Sequence, residues 1–164
     1  MNKYINQLYK FRSNPAKYDD NELAIVIIKP NSTQKSRKKI INNIIENGLI
    51  IIRSVTRRLL KAEVIAIYND IFRFNESDLL FGASWKNQKL QYMMSGESEI
   101  LLIQGKNAQQ KAENIKYEVR KNFGKLSVPD KKLDDKTFED LAIKNIIHVV
   151  DADETDISLK LFFD

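Results

Sequence analysis

The run LAIVII, Leu23 to Ile28, is apolar at every position and rich in β-branched side chains, which predicts a central strand covered on at least one face. It ends at Lys29-Pro30-Asn31, where proline removes a ladder donor. The period then changes. In QKSRKKIINNIIENG, Ile40, Ile41, Ile44 and Ile45 recur at helical spacing, basic residues come early and Asn47-Gly48 is a stop signal, so a surface helix with one buried stripe is expected. LIIIRSVTRRL, residues 49 to 59, reads as a second strand, and KAEVIAIYNDIF sets Val64, Tyr68, Ile71 and Phe72 on one helical face. An irregular stretch containing Trp85 and Lys86 is expected to run to about Asn87, followed by KLQYMMSG as the tail of a helix closing at Gly96.

ESEILLIQG is the third strand, and KNAQQKAENIKYEVRKNFG a long polar helix with Ala108, Ala112, Ile115 and Val119 inward. Residues 124 to 143, rich in Lys and Asp with Pro129, read as an irregular loop, and NIIHVV is the fourth strand. Strands alternating with helices, with two right-handed crossovers, predict an α+β fold. The expected form is a ferredoxin-like βαββαβ sandwich: a four-stranded antiparallel sheet with helices on one face. That architecture hosts RNA-binding, regulatory and catalytic domains alike, so function has to come from particular residues.

Residues 1–21 are polar with scattered Tyr4, Ile5, Leu8, Tyr9 and Phe11, and are expected to form an N-terminal arm before a single domain over residues 22–164. No apolar run approaches the roughly 20 residues of a membrane helix, and the first residues lack the apolar core of a secretory signal. The absence of cysteine removes disulfides and thiolate metal sites, and a cytoplasmic location is expected. A net charge of +5 and a pI near 9.3 favour phosphate-bearing partners, although heavy use of Lys, Asn and Ile also fits an AT-rich genome. Nucleic acid is disfavoured, because LAIVII and ESEILLIQG carry no aromatic residue on which bases could stack.

His148 is the only histidine, and it lies in the apolar run NIIHVVD. A lone histidine so placed is more commonly a hydrogen-bonded core residue than a catalyst. Its neighbours change that balance. IIKPN closing the first strand, a tyrosine in the following helical hairpin, YMMSGESEILLIQGKNA across the third strand, and NIIHVVDADETDISLKLFF together resemble the nucleoside diphosphate kinases, from about Glu22 to Phe163.

The resemblance implies ping-pong phosphoryl transfer from a nucleoside triphosphate to a nucleoside diphosphate through a phosphohistidine at His148. The family's strand-end lysine, helical tyrosine and the asparagine three residues before the histidine fall on Lys29, Tyr68 and Asn145. Lys29 would neutralise the transferred group, Asn145 would bind the sugar, and Tyr68 would steady lysine or phosphate. Mg²⁺ is implied as a passenger on the nucleotide, with no metal ligands of the protein's own. The plainer roles are that Lys29 ends a strand, Tyr68 is core, Asn145 turns the chain and Asp151 caps the next helix.

The chain also departs from the family pattern. Val149-Val150 stand where Gly-Ser usually follows the histidine, and Ser158 stands where a glutamate orients the ring. The first phosphate-clamping arginine falls on Glu113, and the segment holding the second has no counterpart in DDKTFEDLAIKN. Arg120, two turns beyond Glu113 on nearly the same helical face, is the candidate replacement as a nucleotide-binding residue, with Lys116 between. A catalytically degenerate nucleotide-binding or protein-interaction module is therefore the alternative to an active phosphotransferase. Whether the chain forms a homo-oligomer, as the relatives do, is left open by changes in the regions that build their subunit contacts.

Overall fold

Strand β1, Glu22–Ile28, sits inside the sheet because every one of its side chains from Leu23 onward is buried, on both faces. The computed structural model describes residues 21–68, 84–123 and 144–164. The arm up to Asp20, the expected helical positions Ile71 and Phe72, and the loop 124–143 lie outside the described residues.

From β1 the chain runs through α1 (Gln34–Glu46), β2 (Ile50–Arg58), α2 (Lys61–Ile67), α3 (Ser84–Met94), β3 (Glu97–Gly105), α4 (Ala108–Phe123), β4 (Ile147–Val149) and α5 (Thr155–Phe163). The sheet order is β2-β3-β1-β4, and each neighbouring pair is antiparallel. This is the expected α+β arrangement. The two long helices α1 and α4 share one face, where Ile40, Ile44, Ala108, Ala112, Ile115 and Val119 meet Ala24, Val26 and Ile28.

The opposite face is covered too, an addition to the expected single helical layer. Leu23, Ile25 and Ile27 there meet Val64, Ile67 and Tyr68 of the α2 region, Met93 of α3 and Leu159, Phe162 and Phe163 of α5. Strand alternation explains it, because successive apolar residues of β1 point to opposite sides and each side needs a cover. Arg57 of β2 ties this second layer down through a paired hydrogen bond to Glu63, at 2.8 and 2.5 Å, while Glu63 also accepts from the Leu60 amide at the start of α2.

Two local expectations change. The stretch holding Trp85 and Lys86 is helical, as α3 begins at Ser84. Ile45 is 60% exposed, because only Ile40 and Ile44 of its helix reach the sheet fully. The helix stop is as read. Thr33 caps α1 at its start by accepting from the Ser36 amide, and at its end Gly48 (φ 71°) donates to Ile45 O while Leu49 donates to Ile44 O, closing the last turn through a left-handed glycine.

Nothing lies within 4 Å of where a Cβ on Gly48 would sit, so a substitution there tests backbone strain alone. Gly48→Ala is expected to cost about 1 kcal/mol in urea unfolding, with Gly48→Asn recovering part of it. An unchanged midpoint for the alanine variant would contradict the left-handed closure.

Candidate active site

Side-chain alternation on β1 continues past its last ladder pair. Ile25 and Ile27 face the second layer, and Lys29, two residues on, faces it too. His148 of β4 is the antiparallel partner of Ile27 and therefore shares that face. The Lys29 amide donates to Ile146 O at 2.9 Å, extending the β1–β4 pairing by one link and bringing Lys29 level with the residues just before β4.

There the side chains meet. Lys29 Nζ donates to Asn145 Oδ1 at 2.5 Å, and Arg120 Nη2 donates to the same oxygen at 3.0 Å. Arg120 also grips Ile147 O through Nε and Nη2, at 3.3 and 2.9 Å, which fixes α4 against β4. The Tyr68 ring packs on the His148 ring with centroids 4.4 Å apart and planes inclined by 43°. Lys29 Nζ lies 5.8 Å from the Tyr68 centroid and 5.9 Å from that of Tyr92. All five residues expected from the sequence (Lys29, Tyr68, Arg120, Asn145 and His148) are thus brought together.

Their settings differ from the simplest expectation. His148 is partly exposed as a residue, but its Nε2 is shielded from solvent and has no hydrogen-bond partner among the described residues. Solvent therefore reaches the residue from a side other than Nε2. Ser158, on α5 of the same layer, is buried and its Oγ is likewise unpartnered among the described residues. Tyr68 serves the core and the cluster at once, being buried, with its hydroxyl 3.9 Å from Met93 Sδ. Asn145 presents its carbonyl oxygen to two cationic side chains. Asp151 makes no side-chain cap, although its carbonyl accepts from the Glu154 amide and the Thr155 hydroxyl.

Electrostatics follow from this crowding. Burial holds the Lys29 ammonium well below its usual titration, and the charges of Lys89, Arg120 and Lys116 push it the same way. His148 is held well below the ordinary 6.5, first by burial and then by Lys29, Lys89, Arg120 and Lys116. Its ring is neutral at pH 7. Burial pushes the Arg120 guanidinium below its usual titration, against which Tyr68 and Glu113 act, and Glu113 also pairs with Lys116 one turn further along α4, so the position with the wrong sign for a phosphate clamp lies close enough to temper its neighbours.

Sequence reasoning missed Tyr92 and Lys89. Tyr92 donates from its hydroxyl to Asn31 Oδ1, whose Nδ2 donates to Lys144 O at 2.6 Å, linking α3, the turn after β1 and the approach to β4. Gly96, just beyond α3, permits the same closeness, since a Cβ there would meet Pro30 Cβ at 3.1 Å. Lys89 is buried at an inward helical position four residues before Met93, and spacing alone assigns such a position to the core.

No protein-family model matches the chain, and no curated protein sequence matches it significantly. Among solved structures, the chain is similar to the nucleoside diphosphate kinase of Aquifex aeolicus in an orthorhombic crystal form, with a TM-score of 0.61 at 18% identity, covering 88% of this chain and 96% of that one. It is also similar to an NDP kinase from Pyrobaculum aerophilum, with a TM-score of 0.57 at 16% identity and the same coverage of 88% and 96%. At these identities the likeness is one of fold.

Two measurements probe the cluster. Replacing Asn145 by Leu removes the oxygen that both cations share and is expected to cost about 2–3 kcal/mol in urea unfolding, whereas Asn145→Asp keeps the acceptor and is expected to cost less. An equal loss in both would deny the shared acceptor its role. For His148, the unfolded chain takes up a proton below about pH 6.5 while the folded ring does not, so stability falls as pH drops through that value. His148→Phe is expected to lose less stability than the wild type between about pH 7 and pH 5, and parallel curves would mean the folded ring is not held neutral.

Proposed function

We propose that the chain is a nucleoside diphosphate kinase-like phosphotransferase whose phosphate carrier is His148. The observation that carries this reading is the convergence of Lys29, Arg120 and Asn145 beside a neutral imidazole stacked on Tyr68, in a fold shared with solved NDP kinases.

In the first half-reaction an imidazole nitrogen attacks the terminal phosphorus of a nucleoside triphosphate. A P–N bond forms, the bridging P–O bond breaks and a nucleoside diphosphate leaves. In the second, a terminal oxygen of another diphosphate attacks the phosphohistidine and the P–N bond breaks. Nε2 is shielded from solvent, so this reading assigns the attack to the other ring nitrogen, Nδ1. A ring already neutral at pH 7 needs no deprotonation before attack, which is what burial among cations supplies. Lys29 and Arg120, held on one amide oxygen, present their remaining donors to the equatorial oxygens where charge is spread in the transition state.

Mg²⁺ belongs to this reading only as a companion of the nucleotide phosphates, where it would neutralise their charge. The cluster itself does not fit a directly held metal. Ammonium and guanidinium groups are not ligands, and among the described residues no group of three or more His, Cys, Asp or Glu could hold one. The described helices include none long and apolar enough to cross a membrane.

A second reading, nucleotide binding without turnover, is favoured by one specific feature. Glu113 and the neutral Ser158 replace charged groups that the resemblance expects at the reacting phosphate and behind the ring. Losing such contacts costs about 2–4 kcal/mol each in transition-state stabilisation.

Incubation with ATP labelled at the terminal phosphate separates the two. Phosphotransfer gives acid-labile label on the wild type, none on His148→Ala, and chase of that label onto an added diphosphate. Equal labelling of wild type and His148→Ala would refute His148 as carrier, and tight nucleotide binding without any label would establish the second reading.

A further inference from the structure

Helix α1 turns its buried stripe to the sheet, and one of its remaining flanks is neither flat nor uniformly polar. Along that flank Gln34, Lys38, Ile41 and Ile45 follow one another at spacings of four, three and four residues, so they form a single row. Ile41 is partly buried against the core, while Ile45, one turn on, is 60% exposed. An open hollow of about 770 Å³ lies on this row, lined among the described residues by Gln34, Lys35, Arg37, Lys38 and Ile41. Arg37 donates twice to Glu99 of β3, at 2.5 and 2.7 Å, and Glu99 also accepts from Ser54 of β2 at 3.2 Å. The hollow therefore belongs to the side of α1 that looks toward β2, the edge strand of the sheet.

Two residues set its charge. Arg37 is already matched by Glu99. Lys35 and Lys38 are exposed and make no ion pair or hydrogen bond among the described residues. They lie three positions apart on the helix, which sets their Cβ atoms about 5–6 Å from each other. Carboxylates two residues apart on an extended segment are about 7 Å apart and match that spacing. The row from Gln34 to Ile45 is about 16 Å long, the reach of about five extended residues.

Charge and shape together select the partner. A hollow with cations toward one end and exposed isoleucine toward the other takes a short acidic segment followed by an aliphatic side chain. A duplex nucleic acid would use the cations but offers nothing to the isoleucines, and a lipid surface takes up a protruding apolar face rather than a hollow. A second copy related by a two-fold axis would bring the same lysines into one interface from both sides.

We propose that this flank of α1 is a docking surface for an acidic, leucine-bearing segment of a partner protein, with Lys35 and Lys38 pairing its carboxylates and Ile41 and Ile45 seating its apolar side chain. This interaction lies beyond phosphotransfer and stands whether or not His148 carries phosphate.

The test is fluorescence anisotropy of the intact protein with a labelled synthetic peptide, glutamate alternating with serine in its first half and leucine-rich in its second. The same peptide with lysine for every glutamate is the comparison. The wild type is expected to bind the acidic peptide at least about tenfold more tightly than the basic one, and to bind it less tightly as salt is raised. Lys35→Glu combined with Lys38→Glu is expected to weaken binding roughly tenfold or more, and Ile45→Ser about three- to tenfold. Lys121→Glu combined with Lys160→Glu, at exposed positions of α4 and α5, changes the net charge equally and is expected to stay within about twofold of the wild type. The changed lysines and Ile45 are at the surface, and circular dichroism checks that each variant is folded. No binding of the acidic peptide by the wild type, or equal weakening in the two charge-reversed proteins, would overturn the proposal. Tighter binding of phosphatidylserine vesicles or of a duplex oligonucleotide, lost only when Lys35 and Lys38 are reversed, would overturn it in favour of a lipid or nucleic-acid surface. A wild-type dimer in sedimentation that the same reversal abolishes would overturn it in favour of a second copy of the chain.

Discussion

One amide oxygen organises this molecule's chemistry. Asn145 Oδ1 accepts from the ammonium at the end of the central strand and from a guanidinium on a helix of the opposite layer. The acceptor is uncharged, so it orients both cations without cancelling either. A carboxylate in its place would hold them more tightly and quench the field they create. The backbone contributes the rest, since the Lys29 amide and the Arg120 guanidinium are each tied to carbonyls at the start of β4, those of Ile146 and Ile147. Sheet pairing, helix docking and local charge are thereby fixed at one point in the fold.

The histidine is best understood as a consequence of that point. It sits opposite Ile27 in the ladder, beside a pocket of positive charge and against an aromatic ring, and both desolvation and repulsion keep it neutral. What distinguishes the arrangement is the lack of any hydrogen bond to Nε2 among the described residues, with the hydroxyl of Ser158 equally unpartnered in the same layer. The contact the ring does make there is with Tyr68, which packs against it at a tilt. Tyr68 is therefore both a core residue and a wall of the site, and the two roles are compatible because a tyrosine has an apolar body and a polar tip.

The strands were legible because their periods are clean. LAIVII carries no polar interruption, ESEILLIQG little, and the four inward positions of α4, from Ala108 to Val119, are all buried as their spacing requires. The cluster was legible through order and spacing rather than through periodicity, since Lys29, Asn145 and His148 are single residues in otherwise apolar or turn segments. Lys89 was not legible. A lysine at an inward helical position is indistinguishable from a solvent-facing one until the helix phase is known, and the phase of α3 was obscured by reading its first residues, Ser84 to Asn87, as irregular. The second helical layer was missed for a related reason: α2, α3 and α5 are short, and short helices give weak periodic signals.

The glycine at position 96 has a mechanical meaning. Because it lets the chain leaving α3 rest directly against Pro30, and because Tyr92 of the same helix holds Asn31, the turn that follows Lys29 is clasped from above by the segment that also bears Lys89. The two lysines are consequently not carried on independent parts. A methyl group added at position 96 would wedge this clasp open at Pro30, so the seat of the turn against α3 is set by an atom the sequence leaves out.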